Sequence, residues 1–343
     1  MIRSASWGGY ADPFQRMPGS VFHAAVTVVA LVAVGCMETL DAGSSRPLPV
    51  DERNPIVLVN DEPYRNWQGE YAMLLANGGG PRLAGIIVGA SSAWPDLANN
   101  MTGWQDMVAA ARASGMQNIP DPIKSAGATL ARPANGDIDA TTPIGSLGAR
   151  AIVDISANLG PSERPLVVAT GGRLTDVADA YLIDPSVAER VVVVSALGTV
   201  SSSGGEMGDP NGKMDPWADA IVAARFRYVQ VSAFYDQIND VPASGQYDLP
   251  LNSFGTWIGK KQPSIWDMQV AADQVSVAAV GIPKFVVDVE RVSAAKVIEA
   301  GATAGPTLID DPKGPLWLVR QVSGAAARER FWKLLLDPTT YGH

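Results

Sequence analysis

The sequence predicts an α/β fold: a doubly wound, mostly parallel sheet with helices on both faces, in a single domain. Two observations lead to this prediction. Short apolar runs of strand length alternate along the chain with longer stretches of helical spacing. The first run, 56–59, is apolar and largely β-branched, which is typical of a strand buried on both faces. No repeat of solenoid length and no break in composition divides residues 54–343.

The elements follow one another in strand and helix order. The predicted strands are 56–59, 83–88, 166–169, 191–195, 228–231 and 285–289. The predicted helices are 67–77, 97–113, 146–158, 176–182, 216–226, 268–280 and 325–336. Repeated strand-helix-strand units favour parallel pairing, with the helices crossing over both faces of the sheet.

Polar side chains follow the first strand directly. Asn60, Asp61, Glu62 and Asn66 lie in the loop before the first helix, and Asn66 is a candidate N-cap for that helix. Ligands of open α/β sheets bind at the carboxyl ends of the strands. The sequence therefore places a candidate site in this loop.

The N-terminal stretch is predicted to be a targeting segment. Residues 21–35 are apolar and uncharged, and Cys36 follows at once. Ala33-Val34-Gly35-Cys36 resembles a bacterial lipoprotein box, which predicts signal peptide 1–36, lipidation at Cys36, a flexible tether at 37–53 and a domain at 54–343. An ordinary transmembrane anchor or secretory signal, and a start at Met17, are the alternatives.

Composition excludes several function classes. A formal net charge of -9 and a pI near 4.8 argue against nucleic acid as a partner. The single cysteine leaves no intrachain disulfide, and His23 and His343 are the only histidines, which argues against a catalytic triad or a His-ligated zinc. No phosphate-binding glycine motif is present. Carboxylate, amide and carbonyl oxygens remain, and these suit a hard cation such as calcium.

The order of these features resembles the nucleoside hydrolases, which bind calcium and cleave the N-glycosidic bond of ribonucleosides. The resemblance covers about residues 54–337. In that family the first loop reads DxDxxxDD, whereas this chain has NDEPYRNW at 60–67. Asn60, Asn66 and Trp67 therefore stand at family aspartate positions, and Asp61 and Glu62 are the carboxylates of the loop.

Later segments extend the resemblance. LAGIIVGASS, at 83–92, occupies the place of the family's TTVxGN, with Ser92 at a ribose-binding position. ATGGRLTDVADAYL, from residue 169, is similar to TGPLTNxAxA and puts Thr170 where a backbone carbonyl ligates calcium. DPNGKMDP, at 209–216, resembles ExNxxxDP, and SIWD, at 264–267, falls where a calcium-ligating aspartate follows His or Trp.

The resemblance implies an exported calcium-dependent hydrolase of purine or related ribonucleosides, anchored to the cell envelope by a lipid. Calcium is expected at Asp61, Asp267 and the Thr170 carbonyl, and Asp61 or Glu62 is expected to accept the proton of water. Glu70 is a further acidic candidate, either reaching the pocket or covering the helix surface. The residues expected to contact the substrate are Asn60, Asn66, Ser92, Asp209, Asn211 and Trp266.

Other interpretations stay open. A catalytically impaired binding or scaffold lipoprotein on the same fold would explain Asn60 and Asn66, and a glycosidase for another sugar is a third alternative. Asp61 and Glu62 could serve only as partners of the helix dipole, Asp267 could be an N-cap, and Asp215-Pro216 is expected to be the N-cap and first residue of a helix. The oligomeric state is open, and a homo-oligomer is one alternative.

Overall fold

The computed structural model describes residues 48–159, 164–198, 210–231, 249–261, 273–294, 308–310, 313 and 315–342. The elements of its first half are β1 (Ile56–Asn60), α1 (Gln68–Asn77), β2 (Leu83–Val88), α2 (Leu97–Ala113), β3 (Pro122–Lys124), a 3₁₀ turn (Ile138–Ala140), α3 (Leu147–Ala157), β4 (Leu166–Thr170), α4 (Thr175–Ile183) and α5 (Val187–Arg190).

The second half adds further elements. They are β5 (Val191–Ala196), α6 (Pro210–Met214), α7 (Pro216–Arg225), β6 (Arg227–Val231), α8 (Ser253–Gly259), α9 (Gln274–Gly281), β7 (Val286–Ala294), β8 (Leu308–Asp310), β9 (Leu316–Val322), α10 (Gly324–Leu336) and a 3₁₀ turn (Pro338–Tyr341).

The described strands form one sheet in the order β3-β2-β1-β4-β5-β6-β9-β7-β8. Strands β1 to β6 and β9 pair in parallel, and β7 runs antiparallel to both β8 and β9. The predicted α/β class and mostly parallel sheet are confirmed. The sequence prediction lacked β3, β8 and β9, and it ended β7 at residue 289, before the strand's observed end at Ala294.

Successive residues of β1 belong alternately to the two layers of the core, one on each face of the sheet. Ile56 and Leu58 pack with the helices that include α1, α9 and α10, whereas Val57 and Val59 pack with those that include α3, α4 and α7. Both sets are buried, since successive side chains of a strand point to opposite faces. A sheet covered on both faces explains why its strands are apolar throughout.

Two local predictions can be compared with the helix boundaries. Asp215 is the N-cap of α7 and accepts a hydrogen bond from the Ala218 amide, with Pro216 at the first position, as predicted. The N-cap of α1 is Trp67 and not Asn66, and it has no side-chain cap bond. Asn66 instead accepts a hydrogen bond from the Gln68 amide at 3.0 Å, so its side chain still supports the start of α1.

The packed chain begins before residue 54. Val50 is buried and belongs to the main core, and Leu48 packs against it, so the last part of the predicted tether contacts the domain. No helix within the described ranges has the length and apolar character needed to cross a membrane. The predicted signal peptide with Cys36, and tether residues 37–47, lie outside the described residues.

Candidate functional site

The carboxyl ends of three neighbouring strands meet at one point of the sheet edge. Strand β1 lies between β2 and β4, and Val59 is in register with Thr170. The Gly89 amide donates to the Asn60 carbonyl at 2.7 Å, and the Gly171 amide donates to the Val59 carbonyl at 2.9 Å. These bonds place the turns after β2 and β4 on either side of the acidic loop, which we define as residues 60–67.

Asn60 is the centre of the hydrogen-bond network here. Its side-chain Nδ2 donates to Gln68 Oε1 at 2.8 Å and to Asp273 Oδ2 at 3.1 Å. Its Oδ1 accepts from the Asp61 amide at 2.6 Å. Asn60 therefore connects the acidic loop to α1 and to the residue that precedes α9.

Asp273 is a site residue that sequence analysis missed. It precedes Gln274, the first residue of α9, and it lies next to Gly171, where an added Cβ would come within 2.4 Å of the Cβ of Asp273. Glycine is needed at residue 171 because no side chain fits between β4 and Asp273. In the sequence, the only local indication of Asp273 is its place directly before the apolar run 274–281, where a helix N-cap is expected.

Asp61 lines a small hollow at this edge, with a cavity volume of about 10 Å³, together with Asn60, Ser125, Arg173 and Asp176. The side chain is mostly buried, and Asp61 Oδ1 accepts from the Glu62 amide at 2.7 Å. Burial raises the pKa of Asp61, while a hydrogen bond from Ser91 and the charge of Arg173 oppose that rise. Asp61 is thus a desolvated carboxyl group facing the hollow.

Glu62 has a different environment. Glu62 Oε1 accepts from the Tyr64 amide and Oε2 from the Arg65 amide, each at 2.7 Å. Burial raises the pKa of Glu62 to about 7, although these backbone bonds and Lys261 lower it. Both oxygens are engaged within the loop, so Glu62 braces the loop, whereas Asp61 faces the hollow.

The buried carboxyl groups repel one another. Burial raises the pKa of Asp273 well above its ordinary value, and the charge of Asp61 raises it further. Hydrogen bonds from Asn60 and Asn211 act in the opposite direction. Asn211 is buried in α6, and its Nδ2 also donates to the Ala196 carbonyl at 2.7 Å. The end of β5 therefore also supports Asp273.

Comparison with solved structures identifies this architecture. An inosine-guanosine nucleoside hydrolase superposes with a TM-score of 0.56 at 17% identity, covering 84% of this chain and 99% of its own. A plant nucleoside hydrolase gives 0.51 at 15% identity, covering 83% and 99%. An inosine-uridine preferring nucleoside hydrolase from Bacillus anthracis gives 0.50 at 15% identity, with the same coverage of 83% and 99%. The chain has the nucleoside hydrolase fold. No protein-family model and no curated protein matches the sequence.

The nucleoside hydrolase fold brings together part of the predicted site. Asn60, Asp61, Glu62, Thr170 and Asn211 lie around the point where β1, β4 and β5 end. Three other predicted site residues, Asp209, Trp266 and Asp267, lie outside the described residues, as does Cys36.

Asn66 and Ser92, two further predicted substrate contacts, have different surroundings. Asn66 donates through Nδ2 to the Glu62 carbonyl and accepts from Gln68, so its polar groups are used inside the acidic loop. Ser92 is exposed, whereas its neighbour Ser91 is buried and hydrogen-bonded to Asp61. Ser91, and not Ser92, thus contacts Asp61.

The donor set can be tested against a calcium ion. Within the described ranges, no group of three or more His, Cys, Asp or Glu side chains is placed to hold one metal ion. Asp61 and Asp273 nevertheless form a buried pair whose repulsion a divalent cation would offset. Thr170 precedes Gly171, and its Oγ1 is buried with no hydrogen-bond partner among the described residues. Oxygen donors of this kind are the ligands that hard cations prefer, but the described residues do not assemble a metal site.

Proposed function

We propose that this protein is an exported, calcium-dependent hydrolase that cleaves the N-glycosidic bond of purine ribonucleosides or of a related N-riboside. One observation carries the proposal: within a nucleoside hydrolase fold, the buried carboxyl group of Asp61 lines a hollow at the carboxyl end of β1, next to Asp273. Ligand sites of open α/β sheets lie at this edge. The proposal of export is supported by the apolar segment 21–35 and by the lipoprotein-like box that ends at Cys36.

Different residues of the chain would bind the cation, accept the proton and hold the loop in such a reaction. Asp61 and Asp273, with the Thr170 carbonyl, would hold the cation, and Asp267 stays a candidate ligand. Bound calcium supplies a Lewis acid that orients water and lowers its pKa. Asp61 and Asp176 both line the hollow, but the two oxygens of Asp176 already accept from Ser125 and Ser146, so Asp61 is the carboxylate that would accept a proton from water. Glu62 keeps the loop in shape through the Tyr64 and Arg65 amides.

The sugar and base contacts are proposed from the same geometry and sequence. Asn211 and Asp209 would bind the ribose hydroxyls, and Asn211 is buried at the end of β5 beside Asp273. Trp266 would stack on the leaving base, since no histidine is among the described residues. The binding partner is a small nucleoside or riboside.

The test is turnover by the purified full chain. Release of ribose from purine nucleosides and of the phenol from an aryl riboside is measured with calcium and with a chelator present. We expect calcium-dependent turnover that is lost in Asp61→Asn. Absence of turnover with every substrate, at a calcium concentration that saturates binding, would overturn the proposal.

A second function has a specific observation in its favour. Asn60, at a family aspartate position, places an uncharged amide beside Asp273 and donates to its Oδ2, so the cluster has one carboxylate fewer with which to bind a metal. A ligand-binding or scaffold lipoprotein without catalysis would account for this contact. Calorimetric binding of a nucleoside without any turnover would select this second function over the first.

A further inference from the structure

A buried ion pair lies under the acidic loop. Lys261 Nζ is 2.8 Å from Glu70 Oε1, and the two side chains are 1% and 0% exposed. Glu70 Oε1 also accepts from Trp257 Nε1 of α8 at 2.9 Å. Glu70 was predicted either to reach the pocket or to cover the helix surface, and it does neither. It is enclosed between α1 and α8 as the partner of a lysine.

The same ammonium group also binds the backbone of the acidic loop. Lys261 Nζ donates to the Pro63 carbonyl at 3.0 Å and to the Asn66 carbonyl at 2.7 Å, and it lies 4.6 Å from the centre of the Trp67 ring. An ammonium has three donors. In Lys261 one is directed at Glu70 and two at the loop, so all three are used.

These contacts fix the loop at its far end. At its near end, Glu62 accepts from two loop amides and Asn66 donates to the Glu62 carbonyl, so the loop is closed on itself. Asn60 and Asp61 join the near end to Asp273 and Ser91, whereas the far end is joined to the rest of the chain by the Lys261 contacts. Lys261 joins this far end to α1 through Glu70, and Trp257 joins Glu70 to α8.

We propose that Lys261 is a positioning residue: it holds the acidic loop so that Asp61 faces the hollow. A buried ion pair is weak evidence for stability, because desolvation offsets much of the attraction between the charges. Its value here is geometric, since one cation fixes two carbonyls and one carboxylate. A displacement of about 1 Å at reacting groups can cost about a hundredfold in rate. This role in catalysis rests on the proposed hydrolase function.

The informative variant removes both charges. Lys261→Met alone leaves the Glu70 carboxylate buried and uncompensated, which by itself can unfold the chain. The double variant Glu70→Gln/Lys261→Met has no charge at either position, and its glutamine still accepts from Trp257. It leaves the Pro63 and Asn66 carbonyls without their donor. Lys260→Met, at the exposed neighbour, is the matched control. Glu70→Gln alone would leave the Lys261 ammonium buried without its counter-charge, so it has the same defect as Lys261→Met.

Two measurements on the full chain test the proposal. Hydrogen exchange should accelerate at least tenfold in peptides covering 61–67 of the double variant, but not in peptides covering β5. The kcat of the double variant should fall at least tenfold, and its KM should change less than threefold. Lys260→Met should change neither quantity.

The outcomes separate this inference from the proposed function. Unchanged exchange at 61–67 in a folded double variant would overturn the positioning role, as would an equal acceleration throughout the sheet. If the wild-type chain turns over no riboside, the hydrolase function fails. The exchange result then still decides whether Lys261 holds the loop.

Discussion

Asn60 and Asp273 are separated by 213 positions in the chain, yet the side chain of the first donates to the carboxylate of the second at 3.1 Å. The contact exists because β1 and β4 are adjacent and Gly171, at the end of β4, leaves room for both side chains. It joins the acidic loop to the start of α9. The candidate site is thus formed by segments from both halves of the chain.

The Asp273→Asn variant tests whether Asp273 is kept for function at the expense of stability. Burial and the charge of Asp61 raise the pKa of Asp273 in the folded state, so ionisation is unfavourable there. Without metal at pH 7, the neutral variant should be more stable by about 1 kcal/mol, a typical gain at a strained functional site. Calcium binding should weaken at least tenfold. Urea unfolding and calorimetry measure the two effects, and a destabilised variant with unchanged calcium affinity would contradict this prediction.

The Glu62→Gln variant tests a pH effect on stability. The pKa of Glu62 rises from 4.5 to about 7 on folding, because the group is buried. Between these values the folded chain holds a proton that the unfolded chain has lost, so the free energy of unfolding falls as pH rises. Glu62 accounts for about 3 kcal/mol of that fall.

Urea unfolding at pH 4 and pH 8 measures the prediction. In wild type the free energy of unfolding should be lower at pH 8 than at pH 4. In Glu62→Gln this decrease should be smaller by about 3 kcal/mol. Glu189→Gln, at an exposed glutamate of α5, should keep the wild-type difference. An equal difference in wild type and Glu62→Gln would show that Glu62 is not a desolvated acid.

The Asp61→Asn variant tests the proton acceptor. Asp61 faces the hollow, whereas both oxygens of Glu62 are bound to loop amides. Loss of a general base lowers the rate about 10²- to 10⁴-fold, and we expect a fall in kcat of that size. The melting temperature should stay the same or rise, because a desolvated charge has been removed. A variant that keeps more than a third of wild-type kcat would assign the proton transfer to another group.

Local patterns predicted the parallel part of the fold well, because each of its elements carries its own signal. Strand β2 and helix α2 have the predicted bounds of 83–88 and 97–113, since an apolar run and a helical period define them without reference to other segments. Strand β3 has three residues and helix α8 has seven, which is too short for a reliable period. Strand β9 was missed although it lies between β6 and β7 in the sheet.

The candidate site was predictable only where its residues follow a strand. Asp61 and Glu62 come directly after β1, and the general rule for open sheets places them at the ligand edge. Asp273 and Lys261 reach the same place from α9 and from the end of α8, and no local spacing indicates contacts across some 200 positions. Glu70 shows the same limit, because its burial depends on a lysine that sequence pattern does not pair with it.

The Asp215→Ala variant tests a carboxylate that we assign to structure. Asp215 Oδ2 accepts from the Leu130 amide at 2.9 Å and from Thr175 Oγ1 at 2.7 Å, and Oδ1 accepts from the Ala218 amide at 3.1 Å. Asp215 therefore caps α7 and also holds α4 and the loop at residue 130. A lost N-cap costs about 1 kcal/mol, and buried donors left unpaired cost about 1–3 kcal/mol more.

We expect Asp215→Ala to lose about 2–4 kcal/mol of unfolding free energy in urea, with an unchanged denaturant slope. Asp215→Asn should fall between it and wild type, because an amide keeps one acceptor oxygen of the two. Asp154→Ala, at an exposed aspartate of α3, is the control and should lie within about 0.5 kcal/mol of wild type. If Asp215→Ala is as stable as the control but loses turnover, Asp215 acts on the substrate and the structural assignment is wrong.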